Sequence, residues 1–83
     1  MAAYPKSFTE NDFSLQADGR YMATLPAATH NLGTNYHVVK NIKRDPSDMS
    51  WHNIVPVFRI TSAGDFEFYV TEPGVYKVYL VGE

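Results

Sequence analysis

Histidine, cysteine, aspartate and glutamate are the side chains that hold metals and move protons. This chain has three His, nine Asp and Glu together, and no Cys. His30, His37 and His52 stand seven and fifteen residues apart. Neither spacing matches the compact ligand pairs of zinc sites. Structural or surface roles are expected for all three, with no metal and no cofactor. A nucleophilic serine needs a neighbouring base and an oxyanion hole. No Gly-x-Ser-x-Gly elbow and no Ser-x-x-Lys pattern occurs. Ser47 and Ser50 sit beside Asp45 and Asp48, where short polar side chains serve turns. Two aspartates fall short of the oxygen set a calcium loop requires. The chain is therefore not expected to be an enzyme.

Recognition is a different matter, because aromatic side chains are plentiful: six Tyr, five Phe and one Trp. Tyr36, His37 and Trp51 flank loops rather than strand centres, which makes them the candidate ligand contacts. The formal net charge is −2, so no global field draws nucleic acid or anionic lipid. The one local basic run, Lys40-Asn-Ile-Lys43-Arg44, is followed at once by Asp45 and Asp48. It reads as a solvated strand end, and no nucleic-acid partner is expected. No secretory leader pattern is visible in residues 1–10 and no apolar stretch approaches a membrane span, so no membrane insertion is expected.

The elements that would position these groups are strands. Phe13-Ser-Leu15-Gln-Ala17 alternates apolar and polar, and Arg20 to Leu25 resumes the pattern after Asp18-Gly19. Asp-Gly between two such runs predicts a hairpin with a type I′ turn. Further strands are expected at Asn35–Lys43, Trp51–Ile60, Phe66–Val70 and Val75–Val81, with Ala27–Thr34 as a loop. Pro56 inside the fourth argues for an edge position or a bulge. Residues 1–11 read as an arm or lead-in, and 12–83 as one domain. The fold class is all-β, a small antiparallel β-sandwich of about six to seven strands.

A chain of this length buries only about 60–65% of its unfolded surface, and without cysteine it has no disulfide staple. The last strand is apolar on both faces, which normally means burial on both faces. A partner subunit would supply the missing cover. Lys77 lies among Val75, Tyr79 and Val81, so these four residues form the expected outer face and the candidate oligomer interface.

Several short motifs together carry a resemblance. Tyr21-Met-Ala-Thr-Leu25, Thr29-His30-Asn31-Leu32-Gly33-Thr34 and Val38-Val39 are followed by Ile60-Thr-Ser-Ala-Gly64-Asp65-Phe66 and Pro73-Gly74-Val75-Tyr76-Lys-Val78. The set resembles small β-sandwich modules of bacteriophage tail and head fibres. Residues 40–54 have no counterpart in that pattern. The resemblance implies a virion structural protein, commonly a homotrimer, located in the virion. Its implied partners are itself, other virion proteins and a host-surface glycan or protein. A stand-alone monomeric carbohydrate- or protein-binding module is the alternative.

Overall fold

The computed structural model describes residues 3–82. Eight strands form two antiparallel four-stranded sheets, with one turn of 3-10 helix and one turn of α-helix as the helical content. The strands are β1 (Ala3–Phe8), β2 (Ser14–Leu15), β3 (Tyr21–Leu25), β4 (Tyr36–Arg44), β5 (Trp51–Asn53), β6 (Val57–Ile60), β7 (Phe66–Val70) and β8 (Tyr76–Gly82), with α1 (Ala27–His30) between β3 and β4. The first sheet runs β1-β8-β4-β5 and the second β2-β3-β7-β6. This all-β, two-sheet arrangement is the expected class.

Period-two alternation decides which side chains meet between the sheets. From β8, Tyr76, Val78 and Leu80 point inward; from β7, Phe66, Phe68 and Val70 do. Aromatic rings bridge the layers. Phe8 stacks on Phe68 at 5.7 Å between centroids, and Tyr76 meets Phe68 edge-on at 5.4 Å. Large rings bury much area per residue, and that is how so short a chain builds a core without staples.

Three local expectations change. Residues 3–8, read as a lead-in, are a full edge strand, with Tyr4, Lys6 and Phe8 opposite Leu80, Val78 and Tyr76 of β8. Met1 and Ala2 of that stretch lie outside the described residues. Pro5 is compatible because β1 has a neighbour on one side only, so a missing N–H can face away from the ladder. The hairpin at Asp18-Gly19 forms, with β2 antiparallel to β3, but its turn is not type I′. Gly19 has φ +87° while Asp18 keeps a negative φ. The Gly19 N–H bonds the Gln16 carbonyl at 3.0 Å, and the Gln16 N–H bonds the Arg20 carbonyl at 2.7 Å. That is the three-residue loop closed by a glycine bulge. The stretch Trp51–Ile60 is two strands in two sheets, broken around Pro56, whose ring cannot donate to either ladder.

Candidate functional site

The motifs at Thr29–Thr34 and Ile60–Phe66 come together at one end of the molecule. The Gly64 carbonyl accepts from His30 Nε2 at 2.8 Å and from the Tyr36 hydroxyl at 2.8 Å. His30 Nδ1 accepts the Leu32 N–H at 2.9 Å, so the ring is the neutral tautomer protonated on Nε2. Asp65 Oδ1 accepts the Ala27 N–H at 2.9 Å, which ties the next turn to the start of α1. Asn31 (φ +55°) and Gly33 (φ +72°) supply the left-handed corners of this loop. Tyr36 is only 6% exposed, and its ring packs 4.6 Å from that of His30. Burial, then the Asp65 charge, pushes its hydroxyl up to about 12. Tyr36 is therefore a buried clamp, and the structure corrects its reading as a ligand contact.

At the opposite end of β4, Asp45, Asp48 and His52 converge, with one ligand-type atom of each within 4.8 Å of the others. Local hydrogen bonding accounts for them. Asp45 Oδ1 accepts from the Ser47 N–H and hydroxyl, and Asp48 Oδ1 accepts from the same two groups of Ser50. These bonds, chiefly the serine hydroxyls, hold both carboxyls below the usual carboxylate range. Asp45 and Asp48 each close an Asx turn, and His52 Nε2 lies 2.9 Å from the Ser50 hydroxyl. A surface cavity of about 540 Å³ lies nearby, lined among others by Thr9, Glu10, Lys43, Arg44 and Glu72. Lys43 and Glu72 neutralise each other in it. It holds no nucleophile–base pair.

The outer face of the first sheet is uncovered. Lys77, Tyr79 and Val81 point outward from β8, and Val75 precedes them with its carbonyl accepting the Arg44 N–H at 2.9 Å. Pairing puts His37 opposite Val81, Lys40 opposite Tyr79, Ile42 opposite Lys77 and Trp51 opposite Arg44. Lys77 Nζ sits 4.6 Å from the Trp51 ring, and Lys40 Nζ 5.7 Å from the Tyr79 ring. His37 and Trp51 are both on this face but near its two ends, while Tyr36 points the other way. A β-bulge between Val38 and Lys40 resets the alternation of β4, and no periodic reading of the sequence contains that step.

The second surface of note is the free edge of β6. Val55 is 87% exposed, Val57 50% and Phe58 37%. Phe58 pairs with Phe68 and lies 5.4 Å from the Phe66 ring, so it is a core residue left uncovered at an open edge. Beside it runs a groove of about 350 Å³, lined mainly by Ile54, Val55, Val57, Tyr69, Val70 and Tyr76. None of the exposed apolar residues here is a site candidate in the sequence, where Pro56 alone points to an edge position or a bulge.

No helix among the described residues is long and apolar enough to cross a membrane. Comparison with family models, with curated proteins and with solved structures finds no match to the chain.

Proposed function

We propose that the chain is a non-catalytic assembly module, a virion structural protein of the fibre or decoration kind, that associates with copies of itself through the β6 edge. The observation that carries the reading is the set Val57 and Phe58 on β6 with Val55 just before it, apolar and exposed at a sheet edge that no other strand among the described residues pairs with. An uncovered apolar edge is a template for another chain. Charge selects this surface over the outer face of β8. Two copies meeting through Lys77, Lys40 and Arg44 would bring like charges together, whereas the β6 row brings apolar groups together. A two-fold dimer would set β6 against itself. The homotrimer that the resemblance implies needs β6 to meet a different surface on the next copy and the rotation to close.

Light scattering behind size exclusion tests the reading, with Val57→Lys as the variant. The wild type should run at a multiple of 9.4 kDa and the variant at one copy with unchanged secondary structure. A wild type that stays at one copy at tens of micromolar overturns it.

A further inference from the structure

The cationic side chains of this molecule are sorted by surface. Of seven Lys and Arg, three are neutralised by carboxylates on other surfaces: Arg20 by Asp18, Lys43 by Glu72 and Arg59 by Glu67. Lys6 lies over the Phe8 ring. The remaining three, Lys40, Arg44 and Lys77, share the outer face of the first sheet, and none has a carboxylate partner among the described residues. The bulge at Val39 is the cause. It brings Lys40 into outward phase, and the alternation then carries Ile42 and Arg44 outward and Lys43 inward. Asp45 and Asp48 form no ion pair with this set among the described residues; their carboxylates lie against Ser47, Ser50 and His52.

Measured against β8, the backbone positions that carry these side chains recur at regular levels. His37 is opposite Val81, Lys40 opposite Tyr79, Lys77 lies in β8 itself, and Arg44 bonds to Val75. Each level is two residues on from the last, a step of about 7 Å along the strand axis. Successive phosphates of an extended nucleic-acid strand are spaced comparably. The rings of Tyr79 and Trp51 flank the row, one beside Lys40 and the other beside Arg44.

We propose that this face binds single-stranded nucleic acid. Bases stack on Trp51 and Tyr79 while phosphates lie along His37, Lys40, Lys77 and Arg44. Each lysine now over a ring has a stem long enough to swing to a phosphate as a base takes its place. The combination of aromatic platform and basic track is what sequence-tolerant strand binding requires. A neutral glycan fits less well, since sugar hydroxyls need acceptors and the outward strand positions include Asn53 but no carboxylate. The overall charge of −2 does not register the site, because no acid among the described residues pairs with its three cations.

Trp51 is the only tryptophan, so its fluorescence reports the face directly. Titration with a short oligodeoxythymidine should quench it. Three permanently charged contacts on a single strand give a log–log salt slope of about −2, hence about 15-fold weaker binding between about 50 and about 200 mM salt. Lys40→Gln and Lys77→Gln should each weaken binding and flatten the slope by about 0.7. Arg59→Gln, on the other sheet, should change neither. Tyr79→Leu should weaken binding without altering the slope, which separates stacking from charge. Absence of quenching at low salt overturns the proposal. So does equal loss in Arg59→Gln, or tighter binding of heparin or of anionic phosphatidylglycerol vesicles than of the oligonucleotide.

Discussion

Gly64 should tolerate a side chain much less well than Gly19, although both have positive φ, +95° and +87°. The left-handed backbone itself costs a non-glycine residue about 1–2 kcal/mol. At Gly19 that is the whole penalty, because a Cβ there meets nothing within 4 Å. At Gly64 a Cβ would stand 2.6 Å from the Gly33 carbonyl oxygen and 3.3 Å from Ala27 Cβ. The nearer obstacle is backbone, so no rotamer relieves it. Moving the Gly64 turn away also pulls on the two buried hydrogen bonds its carbonyl accepts from His30 and Tyr36. Each is worth about 0.5–1.5 kcal/mol. Gly19→Ala should therefore cost about 1–2 kcal/mol and Gly64→Ala about 2–5. At about 4–8 °C per kcal/mol for a domain of this size, the difference of about 2 kcal/mol between the midpoints of these ranges separates the two melting temperatures by about 8–16 °C. Thermal unfolding followed by circular dichroism, with urea titration beside it, reads both. Equal shifts would refute the claim that Gly33 and Gly64 form a rigid close contact.

Tyr36 stays protonated to higher pH in the folded chain, about 12 against an ordinary 10.0. The unfolded chain loses that proton first, so stability is fully present below pH 10.0 and falls as the pH rises toward 12. Melting curves across that range should show the decline, and Tyr36→Phe should flatten it; an equal slope in the variant would assign the loss to other groups. Asn41 is 5% exposed and faces Val78, and neither of its side-chain polar atoms bonds to any other described residue. Replacing a buried amide that has no protein partner among the described residues with a β-branched apolar group suited to a strand should stabilise by about 1 kcal/mol. Asn41→Val should thus raise the urea midpoint, and a lowered midpoint would show that the amide is satisfied.

Strand positions were legible where alternation ran unbroken. Phe66–Val70 emerged at the expected bounds, and β4 and β8 within a residue of theirs. Alternation failed where backbone chemistry intervened. Pro5 and Lys6 hid the apolar partners Tyr4 and Phe8 of β1, because an edge strand can absorb a proline that a central one cannot. Pro56 points to an edge position or a bulge, and the strands on either side of it, β5 and β6, are both sheet edges; the change of sheet between them has no signature in one dimension. Asp-Gly announced a hairpin, but its turn type depends on the sign of one φ that residue identity does not determine.

The same limit decided how the basic run was read. In sequence, Lys40, Lys43 and Arg44 are three neighbours, and two aspartates soon after them suggest neutralisation. In the sheet they separate by phase: Lys43 turns inward to Glu72, while Lys40 and Arg44 join Lys77 from another strand. A run of charge along the chain and a row of charge across a sheet are different objects, and only pairing converts one into the other. The extra residue at Val39 performs that conversion here. Were β4 regular, with His37 outward as it is now, Lys40 would point into the core opposite the side that holds Tyr79. The bulge thus removes a cation from the interior and places it on the aromatic face, and one backbone irregularity serves both the stability of the sandwich and the surface it presents.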